Sequence, residues 1–169
     1  MRTYSIAIMV RNEYGVLNRV TSMFRRRQFN IDCLTVSETE TDLLSRITVQ
    51  FSSEDERAKN QLVAQLAKLP DVVSYREFDP DESVSVELLL VKMRNDDATR
   101  QQVLDAADAF HAKIVDYSRE SIMFRMAGST RRIDSFLDLM RDFELLEVCR
   151  TGVVSLERGP SIMREGVNI

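Results

Sequence analysis

The sequence predicts an α+β protein with two ferredoxin-like βαββαβ domains in tandem. Two observations predict this class. Strand-like and helix-like segments follow the order β-α-β-β-α-β over residues 4–78, and the same order repeats after the polar segment Asp79–Glu82. The halves share this pattern without evident sequence identity. We therefore predict domains at residues 1–78 and 79–169, with a disordered tail from about residue 160.

The first domain is predicted from two apolar periodicities. Alternation such as Tyr4, Ile6 and Ile8 is typical of a half-buried strand, whereas apolar residues three or four positions apart mark one face of a helix. Ser53 followed by Glu56 is a capping-box pattern that predicts the start of the second helix. The predicted elements are strand 4–11, helix 16–27, strand 29–36, hairpin loop 37–42, strand 46–51, a helix ended by Pro70, and strand 72–78.

The same periodicities predict the second domain. Residues 84–93 form a strongly apolar strand, and Thr130 is the predicted cap of the last helix. The other predicted elements are helix 97–110, hairpin strands 113–117 and 121–127, a helix carrying the apolar residues of 133–140, and strand 145–156.

Composition and charge exclude several classes of function. The net charge is -4, and the cationic run Arg25–Arg27 lies at a predicted helix end, so we expect no nucleic-acid partner. No apolar run in the sequence approaches the ~20 residues of a membrane span, and the N-terminus is too polar for a secretory signal. We therefore expect a cytoplasmic protein that does not enter a membrane. Cys33 and Cys149 are expected as buried free thiols, with a disulfide between them as the alternative.

The residue types that catalysis needs are sparse. His111 is the single histidine, the five glycines form no phosphate-binding loop, and the acidic clusters lie in turns and helix starts. No nucleophile stands beside a base, and no spacing is typical of metal ligands. We predict that this chain has no catalytic residue, no metal site and no cofactor, and that it acts by binding.

The segment Arg11–Leu17 predicts a carboxylate site. Gly15 forms a turn before the first helix, whose first N–H groups lack intrahelical partners and carry partial positive charge. Asn12 adds an amide that can donate to a carboxylate or accept from an ammonium. The alternative interpretation is ordinary turn chemistry, because Asn-x-x-Gly before a helix is common.

Three further residues complete the candidate site. Asn30 is predicted at the start of the second strand, beside the first helix. Val16 and Ile31 are apolar neighbours that suit a branched aliphatic side chain. Together with Asn12 and Gly15 they would satisfy the carboxylate, the amine and the side chain of an aliphatic amino acid.

Several stretches carry a recognisable motif set: VRNEYGVLNRV at 10–20, FRRRQFNIDCLTV at 24–36, TETDLLSR at 39–46, AGSTRRIDSF at 127–136 and LMRDFELLEVCRTGVVSLERG at 139–159. The first three resemble the ACT domain of the small regulatory subunit of acetohydroxyacid synthase (acetolactate synthase). The last two resemble the second domain of that family, so the resemblance covers nearly the whole chain. Tyr14 is a departure, because many members carry proline or serine there.

The resemblance implies a ligand, a partner and a role. Small subunits of this family dimerise through their ACT domains and bind a feedback amino acid, usually valine, between two of them. Thiamine diphosphate, magnesium and FAD belong to the large catalytic subunit. Carried over to this sequence, the ligand-binding residues are Asn12, Gly15, Val16, Asn30, Ile31 and Ser37. The expected role is valine feedback control and activation of the large subunit in branched-chain amino-acid biosynthesis.

Other classes stay open at this stage. A stand-alone ACT sensor could regulate another enzyme or transcription, although the sequence shows no helix-turn-helix pattern or basic stripe. An enzyme in its own right would need the nucleophile or metal set that is missing. An RNA-binding ferredoxin-like module would need aromatic residues for base stacking on its first and third strands.

Overall fold

The structure, a computed structural model, describes residues 2–163 and contains two four-stranded sheets within that range. The predicted fold class, two βαββαβ units in tandem with an ACT fold first, is confirmed. The first unit contains β1 (Arg2–Arg11), α1 (Val16–Arg26), β2 (Cys33–Glu38), β3 (Leu44–Ser53), α2 (Glu56–Leu66) and β4 (Val72–Glu77). The second contains β5 (Ser83–Arg94), α3 (Arg100–Ala109), β6 (Lys113–Tyr117), β7 (Ser121–Gly128), α4 (Thr130–Met140) and β8 (Leu145–Glu157).

The first sheet has the order β2-β3-β1-β4, with antiparallel neighbours. Its core lies between the sheet and α1 and α2, where alternate residues of β1 such as Ile6 and Ile8 are fully buried. Phe51 anchors an aromatic cluster, with ring centroids 5.4 Å from Phe24 and 5.3 Å from Phe29. This packing fixes the C-terminal end of α1 relative to the sheet.

The opposite face of the first sheet is also covered. Residues 154–163, which we call the C-terminal strap, belong to the first unit together with residues 2–84. The carbonyl of Ser155 accepts a hydrogen bond from Arg46, and the carbonyl of Met163 accepts one of 2.7 Å from Ser74 Oγ. Consequently Met9, which alternates with the core residues of β1, is only 6% exposed.

The second unit, residues 85–153, has the sheet order β6-β7-β5-β8. Its core lies between this sheet and α3 and α4, and the rings of Phe110 and Phe136 pack there with centroids 5.3 Å apart. Glu87 is buried beside the core and accepts two hydrogen bonds from Arg150, of 2.5 and 2.9 Å. Arg150 also donates to Asp134 on α4, at 2.8 Å, so the ion pair ties β5 and β8 to that helix.

Both predicted N-caps are wrong by one or two residues. Asp55, not Ser53, caps α2: its carboxylate accepts from the backbone N–H groups of Arg57 and Ala58 at 2.8 and 3.2 Å. Ser53 ends β3, and its hydroxyl exchanges hydrogen bonds with the backbone of Asp55. In α4 the cap is Ser129, because its extended backbone points the hydroxyl at the helix start.

The predicted start of β2 at Phe29 is also wrong, because the chain is still leaving α1 there. Gln28 adopts a left-handed φ of 59°, and Phe29 N–H donates to the carbonyl of Phe24 at 2.9 Å. This wraps the chain around the helix end before β2 begins at Cys33. At its other end β2 continues through Ser37 and Glu38, so the hairpin loop is shorter than predicted.

Smaller departures concern α3 and the cysteines. The helix predicted from residue 97 begins at Arg100 instead. Cys33 and Cys149 are free thiols, but neither is buried as predicted: Cys33 is half-buried on the edge strand β2, and Cys149 on the end strand β8 is exposed. No helix within residues 2–163 is long and apolar enough to cross a membrane. Most of the tail predicted from residue 160 lies outside the described residues, whereas Ser161 and Met163 make hydrogen bonds within the first unit.

Candidate functional site

The start of α1 presents backbone N–H groups without side-chain acceptors. Gly15 is the N-cap residue, with a left-handed φ of 80°, and provides no side chain to cap the helix. Its first turn contains no acidic residue. Val16 N–H donates to the carbonyl of Glu13 at 3.4 Å, but no side chain caps this helix start, and its partial positive charge suits a carboxylate group.

Arg19 adds a full positive charge close to the same point. Its Nε donates to Asp71 Oδ2 at 2.6 Å, and a Cβ placed on Gly15 would lie 3.6 Å from one of its guanidinium nitrogens. The carbonyl of Asp71 accepts from Arg11 N–H at 2.9 Å, which ties this pair to the end of β1. Neither residue is among those predicted from the sequence. Arg19 could have been found from its i+4 spacing to Gly15, but Asp71 is joined to it only by the tertiary fold.

Asn12 joins the loop before α1 to the β2–β3 hairpin. Its Nδ2 donates to Glu38 Oε1 at 3.1 Å and to the carbonyl of Asp42 at 2.9 Å, while its Oδ1 accepts from Ser45 Oγ at 3.1 Å. We call these three bonds the Asn12 latch. Asn12 N–H also donates to the carbonyl of Leu43 at 2.8 Å. The side-chain amide uses both N–H groups inside the chain, so in this arrangement Asn12 positions the loop.

The two apolar site residues contact the core rather than an open pocket. Val16 is buried in the first core, and Ile31 is half-buried against the same cluster. Both therefore set the position of backbone groups at the ends of α1. Ser37 is exposed on β2, where it pairs with Arg46 and precedes the latch residue Glu38.

Asn30 lies away from the other polar site residues within one chain. Its Nδ2 donates to Asp32 Oδ1 at 3.0 Å, just before β2 begins. Glu38 and the Asn12 latch stand at the far end of that strand, and the six residues of β2 span about 20 Å. One chain therefore brings Asn12 and Gly15 together with Arg19, and leaves Asn30 at the opposite end of an edge strand.

Histidine, cysteine and acidic side chains are the residues from which a metal site would be built. No group of three His, Cys, Asp or Glu side chains among residues 2–163 is placed to hold a metal ion. His111 follows α3 with a left-handed φ of 56°, and its N–H donates to the carbonyl of Asp108 at 2.8 Å. The backbone of His111 thus helps to end a helix.

Both halves of this chain are similar in sequence to known proteins. The family described as AHAS small subunit-like ACT domain matches residues 6–74, and the family described as small subunit of acetolactate synthase matches residues 86–159. The acetolactate synthase small subunit of Mycolicibacterium smegmatis is 40% identical over 158 residues, covering 94% of this chain and 92% of that protein. A probable acetolactate synthase small subunit of Archaeoglobus fulgidus is 38% identical over 156 residues, covering 92% and 97%.

Similarity extends to a solved structure. The crystal structure of the acetolactate synthase small subunit from Thermotoga maritima superposes with a TM-score of 0.87 at 32% identity, covering 95% of this chain and 100% of that one. Both the domain content and the fold of the described residues therefore match the same group of proteins.

Proposed function

The chain belongs to the family of acetolactate synthase small subunits, and we propose that it binds valine and thereby controls a catalytic large subunit. The uncapped start of α1 at Gly15 is the observation that carries the ligand proposal. It offers backbone N–H groups and the nearby Arg19 guanidinium to a carboxylate. The proposed setting is the cytoplasm, in branched-chain amino-acid biosynthesis.

A homodimer completes the proposed site. β2 is an edge strand, so a second copy can pair with it and extend the sheet. In an antiparallel pair of β2 strands, the start of one strand lies beside the end of the other. That arrangement places Asn30 of a second copy near the Asn12 latch, where its amide could meet the ammonium or carboxylate of an amino acid. The separation of these two asparagines within one chain supports this dimer.

Valine would act by favouring one arrangement of the dimer. A ligand shifts its partner only through different affinities for two states, and such couplings usually amount to about 1–3 kcal/mol. The Asn12 latch connects the loop before α1 to the β2–β3 hairpin. A movement of this loop on ligand binding would therefore also move the edge strand β2. We expect valine to lower the activity of the large subunit and the unliganded small subunit to raise it.

The chemical step is assigned to the large subunit. We propose that thiamine diphosphate, magnesium and FAD are bound there and that this chain contributes no cofactor ligand. Its contribution is to bind the large subunit and the effector.

The test is reconstitution with a candidate large subunit. Acetolactate formation is measured for the large subunit alone, with this chain, and with this chain plus L-valine, with D-valine as the control. The proposal predicts activation by the chain and inhibition by the L enantiomer. Calorimetric titration of the purified chain with L-valine, L-leucine and L-isoleucine then reports binding directly. If a folded chain binds none of the three, the sensor proposal is wrong.

A further inference from the structure

A cavity of about 220 Å³ lies on the face of the first sheet that is opposite α1 and α2. The C-terminal strap forms one side of it and strands of the first sheet form the other. Its lining includes Met9, Arg46, Arg76, Phe78, Leu156 and Ile162. None of the six residues of the candidate valine site lines this cavity.

Arg46 is the electrostatic feature of this cavity. One of its terminal nitrogens donates to the carbonyl of Ser155, and its guanidinium carbon lies 5.7 Å from the centroid of the Phe78 ring. Within residues 2–163, Arg46 forms no ion pair with a carboxylate at 4.0 Å or less. Burial and the charge of Arg76 lower the pKa of Arg46.

The neighbouring Arg76 is paired differently. It forms an ion pair with Glu157 of the strap and donates to Ser161 Oγ at 2.7 Å. Glu157 therefore neutralises Arg76, whereas Arg46 has a carbonyl and an aromatic face. A half-buried guanidinium with remaining N–H donors favours an added carboxylate, which it can bind through two parallel hydrogen bonds.

The other walls specify the rest of the ligand. Met9, Phe78, Leu156 and Ile162 supply apolar surface around the arginine. A purely inorganic anion would leave that surface in contact with water, whereas an aliphatic body would cover it. Glu40 and Glu157 also line the cavity.

We propose that this cavity is a second small-molecule site that binds a small carboxylate with an aliphatic body through Arg46. Branched α-amino acids and the corresponding 2-oxo acids share this chemistry. The site involves other residues than the valine site, so it holds or fails independently of the function proposed above. An occupant would contact both the sheet and the C-terminal strap.

The experiment uses the full chain carrying Gly15→Asp, so that the α1 site does not contribute. The probes are L-valine, 3-methyl-2-oxobutanoate, and the neutral control 3-methylbutanamide, titrated by calorimetry. We expect at least one of the two acids to bind and the amide not to bind. Whichever of the two acids binds more tightly shows whether the site prefers an α-amino acid or a 2-oxo acid. If neither acid binds, or the amide binds equally well, the proposal is overturned.

Two further variants locate the binding. Arg46→Met should lower the affinity for the acid by about tenfold or more, and Arg46→Lys should retain part of that affinity. Because Arg46 also holds Ser155, Ile162→Trp provides an independent test: it fills the cavity from an exposed position and leaves the bonds of Arg46 in place. Unchanged affinity in folded Arg46→Met and Ile162→Trp variants would show that the acid binds elsewhere.

Discussion

Ser45 Oγ donates a 3.1 Å hydrogen bond to Asn12 Oδ1, across 33 residues of sequence. With the two bonds from Asn12 Nδ2, it holds the loop before α1 against the β2–β3 hairpin. The position of Gly15 thus depends on an amide that both donates and accepts. This relationship makes Asn12 a structural residue of the site, whether or not it also contacts a ligand.

Asn12→Asp is expected to loosen the loop. An aspartate keeps the size of the side chain but cannot donate to Glu38 or to the carbonyl of Asp42, and it adds a negative charge beside Glu38. We expect a loss of about 1–2 kcal/mol in the free energy of unfolding and weaker valine binding. Chemical denaturation and calorimetry measure the two effects. Ser45→Ala removes a single bond and is the milder control; equal stability of Asn12→Asp and wild type would contradict the latch.

Gly15→Asp should abolish valine binding through charge. The left-handed φ of Gly15 strains any side chain, but asparagine and aspartate tolerate this conformation best and have nearly the same shape. Gly15→Asn is therefore the matched control for strain. We expect the valine affinity of the aspartate variant to fall at least about tenfold below that of the asparagine variant, because its carboxylate repels that of the ligand. Equal affinities of the two variants for valine would show that the ligand's carboxylate does not bind at the start of α1.

Val36→Pro should dissociate the proposed dimer. Thr39 N–H donates to the carbonyl of Leu44, so by alternation along β2 the N–H of Val36 points away from β3. Proline removes that outward N–H without breaking a bond to β3. Sedimentation should show a monomer for Val36→Pro and a dimer for the near-isosteric Val36→Thr. A dimer that survives the proline, with normal circular dichroism, would place the interface elsewhere.

Arg150→Met should strongly destabilise the second unit. It leaves the carboxylate of Glu87, which is only 3% exposed, without its ion pair, and such losses typically cost about 3–5 kcal/mol. Glu87 and Asp134 together raise the pKa of Arg150, which stays charged throughout the ordinary pH range. Replacing both partners, with Glu87→Leu and Arg150→Met, should restore most of the lost stability. Urea denaturation compares the variants; a double variant no more stable than Arg150→Met would contradict this account.

Ser5→Ala is expected to stabilise the first unit. Among the described residues, Ser5 Oγ is buried without a hydrogen-bond partner. Removing such a hydroxyl relieves a desolvation cost of about 1 kcal/mol or more. Thermal denaturation should show an increased Tm, whereas a lower Tm would mean that the hydroxyl has a partner in solution.

The periodicity of apolar residues was sufficient to predict the fold class. Ile6 and Ile8 alternate, and Val16, Val20 and Phe24 recur at helical spacing, because each set buries one face of its element. The ends of helices and strands were harder to predict, because they depend on which of several nearby polar side chains binds the free backbone N–H groups. Asp55 rather than Ser53 caps α2 because its carboxylate reaches two N–H groups.

The candidate site was predictable only where its residues are close in sequence. Asn12 and Gly15 belong to one short loop, so their proximity follows from the turn. Arg19 and Asp71 meet only because β1 and β4 are neighbours in the sheet. Topology alone predicts Asn30 at the start of the second strand, beside the first helix, and the length of β2 shows why Asn30 and the Asn12 latch lie apart within one chain.

The first unit consists of two separate stretches of chain, and this affects how it can fold during synthesis. Residues 2–84 leave the ribosome long before residues 154–163 do, and chains start to fold while they are being made. Until the strap arrives, the sheet face around Met9 has no cover of its own. The nascent N-terminal half therefore keeps this face uncovered while residues 85–153 are being made, and a fragment without residues 154–163 would keep it uncovered permanently.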